Sequence, residues 1–345
     1  MAPFELSNAT FKSTSTPGIV AVFAGATSGI GMGTLKAFIK NANAPKAYII
    51  GRSESAAASL LEDLRLSNAS ATLNFLPGEI SLIKEVDRLC NEIKSKEKRV
   101  NFIFLSPGYL SWGGRNESSE GIDIPHSLRY YSRLRFAYNL LPLLKTAPNP
   151  RVISILAGGQ EKAIDLNDLE VKQGFSMIKA AGSGTTQTTL AFEELAKLNP
   201  QISFIHKYPG FVDTGVVGRL MSSTKGIYAI PATFFRWIAL PVLNIFAASV
   251  DEAGERGLFL ATSGRYPSAR PREGGNSGVE LPAGVEIARS SVIGENGGSN
   301  GVYRLRADDE SVPDGDILSG YRKDNGGKVV WESTVGVWER ALERV

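Results

Sequence analysis

Val20-Ala21-Val22-Phe23-Ala24-Gly25-Ala26-Thr27-Ser28-Gly29-Ile30-Gly31 decides how the rest of the chain is read. Its first five residues form an apolar, partly β-branched run that ends at a glycine, the pattern of a buried strand. The glycines that follow are spaced G-x-x-x-G-x-G. Gly25 suits a tight turn, while Gly29 and Gly31 let a phosphate approach the backbone and let the next helix pack close to the sheet. That helix opens near Ile30, with its unpaired N–H groups and positive dipole end turned toward an anion. Thr34-Leu35-Lys36-Ala37-Phe38-Ile39 continues it. A strand, a glycine turn and a helix in that order predict a dinucleotide site, in which Thr27 and Ser28 sit beside the diphosphate.

Outward from this stretch, strands and helices alternate. Strands are expected at Ala47–Ile50, Thr72–Leu76, Asn101–Leu105, Arg151–Leu156 and Ile202–His206, with helices at Ser55–Leu66, Leu82–Ile93 and Ser127–Lys145. Ser81 is placed to cap the second of these helices. The order predicts an α/β fold, a Rossmann-type doubly wound parallel sheet covered by helices on both faces. Residues 1–262 are read as one nucleotide-binding domain. Residues 263–345 are read as an irregular extension packed on it, with an edge strand at Val302–Arg306 and an amphipathic helix at Val329–Val345.

Bulk properties narrow the function. The 345 residues carry a net charge of +3 and are 43% apolar. That supports a sizeable core and gives no electrostatic footprint for nucleic acid. Cys90 is the single cysteine, so no internal disulfide forms and a reducing compartment fits. The N-terminal stretch lacks a signal-peptide pattern, which leaves the cytoplasm as the default. Ile227–Val250 is long and apolar, but Pro231, Arg236 and Pro241 interrupt it. We read 215–250 as a lid or wall for an apolar small molecule, or a subunit contact, rather than a membrane span. His126 and His206 lack metal-ligand partners in the sequence, so zinc is not expected.

The glycine loop resembles that of the short-chain dehydrogenase/reductase family, and Tyr208-Pro209-Gly210-Phe211-Val212-Asp213-Thr214 resembles that family's Pro-Gly-x-Val-x-Thr turn. The resemblance implies that Pro209, Gly210, Val212 and Thr214 contact the nicotinamide amide and the diphosphate. It also places Glu79 and Ile80 beside the adenine, and Ser106-Pro107-Gly108 where the family has the end of Asn-Asn-Ala-Gly. At the end of the second strand Arg52 and Ser53 replace the usual ribose-binding carboxylate. A guanidinium there suits the 2′-phosphate of NADP(H), so NAD(H) is the lesser expectation.

Chemistry departs from the resemblance. The family's catalytic asparagine, counted back from Pro142, falls on Arg129. Its serine falls on Leu156–Ala157, and Ser154 lies too early in the strand. No tyrosine occurs between Leu156 and Glu194, and the Tyr-x-x-x-Lys pair falls on Ser176 and Ala180. Three substitutes are candidates: Tyr130 or Tyr131 as proton donor, and Lys179 as either a cofactor-reaching amine or a solvated helix lysine. Three functions stay open: an NADP-dependent oxidoreductase acting on an apolar carbonyl or alcohol in specialised metabolism, the same fold recruited for a non-redox reaction, and a non-catalytic NADP sensor. The resemblance further implies a homodimer or homotetramer built on the two long helices after strands four and five.

Overall fold

The computed structural model describes residues 1–109, 113–213, 247–271, 278–293 and 298–344. The lid segment 215–250 therefore lies almost wholly outside the described residues. Helix α1 (Pro3–Thr14) precedes strand β1 (Val20–Ala24) and was not anticipated from the sequence. Next come α2 (Gly29–Asn41), β2 (Lys46–Gly51), α3 (Glu54–Ser67), β3 (Thr72–Pro77), α4 (Ile83–Lys96) and β4 (Phe102–Leu105). A short turn α5 (Ile124–His126) and a π-helical turn (Ser127–Tyr131) lead into α6 (Ser132–Leu144). The chain continues through β5 (Arg151–Ile155), α7 (Met177–Leu198), β6 (Ser203–Lys207), α8 (Val250–Thr262), β7 (Val302–Leu305), α9 (Asp316–Lys323) and α10 (Gly326–Glu343).

The seven strands form one parallel sheet in the order β3-β2-β1-β4-β5-β6-β7. Every residue of β1, β4, β5 and β6 is buried, which explains why β1 and β4 read as unbroken apolar runs rather than as alternating ones. One face packs against α4, α6, α7 and α10 through Val22, Leu89, Leu134 and Leu195. The other packs against α1, α2, α3 and α8 through Phe23, Phe38, Leu61 and Leu258. The order reverses between β1 and β4, and the crevice above that reversal is where this class of sheet takes its ligand. Ala24 stands opposite both Ile50 and Leu105, so β1, β2 and β4 end level at the crevice.

Two packing details position the site. Helices α2 and α8 touch backbone to backbone: a Cβ on Gly254 would stand 2.8 Å from Gly33 Cα. Helix α4 is capped not by Ser81 but by the carboxylate of Glu120, which accepts from the N–H groups of Ile83 and Lys84 at 2.5 and 2.9 Å. Its N-cap is Leu82, so the expected serine lies one residue outside the cap position.

Helix α10 covers the two helices that the resemblance assigns to subunit contacts. Trp338 is buried, donates its indole N–H to Tyr131 O at 3.2 Å and stacks near Tyr138 of α6. Gly327, at the start of α10, lies against the Glu194 side chain of α7.

Candidate active site

One wall of the crevice is made by β1, β2, β4 and the start of α2. Gly25 has φ +84°, and a Cβ there would fall 2.5 Å from Pro107 N, so only glycine lets the two loops meet. Ser106 donates its hydroxyl to Gly25 O at 3.1 Å and locks the loops together. Helix α2 begins at an extended Ser28 whose side chain makes no cap bond. Among the described residues, no acceptor takes the N–H groups of Gly29, Ile30 and Gly31. These open amides, a helix thirteen residues long and a glycine cradle fit the diphosphate of a dinucleotide.

The same wall holds the other residues expected near the cofactor. Arg52 is exposed and makes no hydrogen bond or ion pair among the described residues. Ser53 caps α3, accepting from Ala56 N–H at 3.2 Å, so its hydroxyl serves the helix. The exposed Glu79 carboxylate accepts from Ser81 N–H at 3.2 Å, and Ile80 is buried. Gly108 has φ +156° and leads to Tyr109, whose half-exposed phenol feels the charges of Glu79 and Arg52.

On the other side of β1, a cavity of about 300 Å³ is lined by Ile30, Ile155, Pro209, Gly210, Phe211 and Arg256, among others. The structure thus brings the first glycine loop and the Pro209-Gly210 turn to one space. Val212 pairs with Ala248 beside it, and Thr214 lies outside the described residues. Phe211 in the cavity lining is more than a third exposed, as is Tyr208, the residue before Pro209.

The far wall is formed by the end of β5, the π turn and α7, and its polar groups are mostly engaged. Arg133 is fully shielded and donates to Leu105 O at 3.2 Å, Ser154 Oγ at 2.8 Å and Ile155 O at 2.7 Å, and to Pro107 O. Ser154 is therefore a structural acceptor inside β5. His206 Nε2 accepts from Ala157 N–H at 3.2 Å, its other ring nitrogen meets Thr189 Oγ1 at 2.8 Å, and Thr189 donates to Glu161 Oε1 at 2.7 Å. Arg304 pairs with Glu161 at 3.1 Å. Burial drives the His206 pKa down to about 4, so the ring is neutral and can accept from Ala157.

The expected substitute donors are corrected. Tyr130 and Tyr131 are buried in the core against α10. The Tyr130 hydroxyl meets Thr334 Oγ1 at 2.6 Å, and the Tyr131 hydroxyl has no partner among the described residues. The π turn is the reason: its wider i→i+5 spacing, seen in Ser132 N–H bonding to Ser127 O, turns the phenols toward α10. Lys179 lies at the exposed start of α7 and donates to Gln173 O at 2.8 Å, and none of its contacts is to a cofactor loop. Ser176 caps the same helix through Lys179 N–H. The structure instead brings Tyr109, the residue after Gly108, close enough to the buried Arg129 for each to feel the other's charge. Tyr109 directly follows Gly108, which was a usable signal; Arg129 was singled out in the sequence only as the place of a missing asparagine.

The chain is similar to the oxidoreductase AN1596 of Emericella nidulans, at 39% identity over 99% of this chain and 98% of that protein. It is also similar to the NmrA-like family domain-containing oxidoreductase notO of an Aspergillus species, at 34% over 94% of this chain and 91% of that protein. A Stachybotrys chartarum short-chain dehydrogenase/reductase, SAT2, is 29% identical over 92% of this chain and 91% of its own length. The chain belongs to the short-chain dehydrogenase/reductase family. No protein-family model matches it. Among solved structures, the fold of Pseudomonas aeruginosa RhlG in its NADP complex matches with a TM-score of 0.53, covering 82% of this chain and 98% of that one at 19% identity. A Brucella melitensis 3-oxoacyl-[acyl-carrier protein] reductase in complex with NAD matches at 0.52, covering 72% and 91% at 14% identity. As a short-chain dehydrogenase/reductase the chain is an NAD(P)-dependent oxidoreductase. Among its described residues, no helix is long and apolar enough to cross a membrane and no cluster of potential metal ligands occurs.

Proposed function

We propose that this protein transfers hydride between NADP(H) and an apolar carbonyl or alcohol of specialised metabolism. The observation that carries the choice of NADP(H) is Arg52, an exposed cation without a partner among the described residues, at the end of β2 and level with the open start of α2. A ribose 2′-phosphate would offset that charge, and a bare ribose hydroxyl would not. Gly25, Thr27, Ser28, Gly29, Ile30 and Gly31 would hold the diphosphate, with Ser106, Pro107 and Gly108 opposite. Glu79 and Ile80 would border the adenine, Ser53 the ribose, and Pro209, Gly210, Val212 and Thr214 the nicotinamide end. When bound, the cofactor supplies the hydride. The protein's part is to orient the reactants, exclude water and steady the oxygen that gains charge. Ile155, Phe211 and Leu260 in the cavity lining support an apolar substrate body.

Arg52→Ala tests the cofactor assignment by fluorescence titration. NADPH affinity should fall at least roughly tenfold, the scale of one charge-assisted pair, with NADH affinity nearly unchanged. Equal loss for both nucleotides would defeat it. A non-redox reaction on the same fold is the second reading. It is favoured by the burial of Tyr130 and Tyr131, which leaves the cleft without the expected phenol. Product formed with NADPH unconsumed would select it, and binding without any turnover would select a sensor.

A further inference from the structure

Arg129 and Arg133 sit one turn apart, and the fold treats them differently. Arg133 has its guanidinium on five acceptors, Leu128 O and four at or just beyond the ends of β4 and β5. Arg129 is only 7% exposed, yet its guanidinium makes no hydrogen bond or ion pair among the described residues. Its stem rests on α7 at Gly184, where a Cβ would stand 3.3 Å from Arg129 Cδ and 3.8 Å from His126 Cε1. Glycine at that position makes room for the side chain.

The charged groups facing Arg129 do not satisfy it. Asp123 lies near enough to act on its charge, but both Asp123 oxygens are taken, by Asn116 N–H at 2.8 Å and His126 N–H at 3.0 Å. Tyr109 is the other neighbour, and it follows directly on the Ser106-Pro107-Gly108 loop. Arg133 bonds Pro107 O in that same loop, which places the π turn against the cofactor wall. His126 is held neutral, with its pKa pushed down to about 3 by burial, so it offers no negative charge.

A desolvated cation with open donors is costly to a folded protein unless an anion completes it. We propose that Arg129 is the oxyanion-binding residue of this cleft, receiving a negatively charged oxygen of the substrate. That oxygen has two possible sources: a carboxylate the substrate brings with it, or the alkoxide created at the reacting carbonyl. In the second case hydride from NADPH bonds to the carbonyl carbon, the C=O π pair moves to oxygen, Arg129 holds that oxygen, and water then protonates it. The guanidinium keeps its own protons throughout. The proposal deepens the NADP(H) reading by naming what the far wall recognises, and the test separates the two.

Benzoate serves as the probe for a carboxylate, and 4-nitrophenol, whose absorbance reports its ionisation, as the probe for a single-oxygen anion. Both are titrated into the full chain with and without saturating NADP+, whose own binding is measured separately. The wild-type protein should bind benzoate, shift 4-nitrophenol toward its phenolate, or do both. Benzoate binding alone selects the carboxylate source, and the phenolate shift alone selects the alkoxide source. Arg129→Met should lose at least roughly tenfold in whichever is seen, with Arg129→Lys retaining part of it. Arg129→Met should also melt at the same temperature as wild type or higher, because it removes a buried charge the fold does not use. Failure of wild type to bind either probe, equal binding by Arg129→Met, or a melting temperature lowered by several degrees overturns the proposal. So does weakened NADP+ binding in Arg129→Met with anion binding intact, since the residue would then serve the cofactor. Anion binding that needs Arg129 in a chain that does not bind NADP+ would sustain this inference and sink the NADP(H) reading.

Discussion

The wall of the crevice built from β1, β2 and the start of α2 leaves its polar groups open, whereas the wall built from β5, the π turn and α7 turns nearly all of its polar groups inward. On the first wall the Gly29–Gly31 amides and the Arg52 guanidinium have no partner among the described residues. On the second, Arg133, Ser154, His206, Thr189 and Glu161 bond one another or the backbone. The difference separates recognition from chemistry. The open wall suits an anionic, flexible cofactor that must be held by amides and a cation. The engaged wall is a rigid support, and Arg129 is a charged group on it that makes no hydrogen bond or ion pair among the described residues.

The sharpest break of this contrast lies at Arg133. Arg133→Met strands carbonyls of both β4 and β5, and should cost about 3 kcal/mol or more in urea unfolding or prevent folding altogether. Retained stability would mean the inward bonds carry little. Acid should attack the same wall next. His126 and His206 have folded pKa values of about 3 and about 4, below their ordinary 6.5, so the unfolded chain takes up protons first. Stability is therefore full above pH 6.5 and falls as the pH drops toward 4. The loss is on the order of 3 kcal/mol for each ring by pH 4.5. Unfolding free energies that stay level across that interval would contradict the burial of two neutral rings.

On the open wall, Gly31→Val should displace the loop at Gly25, lower stability and cut the NADPH affinity of the folded protein by roughly a hundredfold, as expected for a displaced binding loop. Gly31 packs against Ser106 Oγ and Gly25 O, with no room for a side chain. Unchanged affinity in a folded variant would place the nucleotide elsewhere. The smallest expected effect is at Tyr131, whose hydroxyl is buried and has no partner among the described residues. Tyr131→Phe should change stability by less than about 1 kcal/mol and leave turnover as it was. A large drop in rate would return that phenol to the reaction.

The open wall was also the legible one. Its strands, its glycines and Arg52 are local in sequence, and each signal sits within a few residues of the group it positions. The engaged wall depends on distant partners. Tyr130 meets Thr334 across 204 residues, and the Tyr131 carbonyl meets Trp338 across 207. No spacing near Tyr131 announces a helix two hundred residues later, and helical periodicity does not reveal a π turn that shifts which side chains face the cleft. The cap of α4 was misread for the same reason, since Glu120 arrives from 36 residues downstream of Lys84 while Ser81 stood next to the helix. Lys179 could be read from the sequence as a cofactor-reaching amine or a solvated helix lysine, and its bond to Gln173 O at the exposed start of α7 favours the second.

A crystal structure of the protein with NADP+ tests the central claim most directly. The account predicts the diphosphate against the amides of Gly29, Ile30 and Gly31, the 2′-phosphate within hydrogen-bond distance of Arg52, and no tyrosine from α6 near the nicotinamide ring. A diphosphate bound away from α2, or a phenol of Tyr130 or Tyr131 swung out to meet the ring, would contradict it.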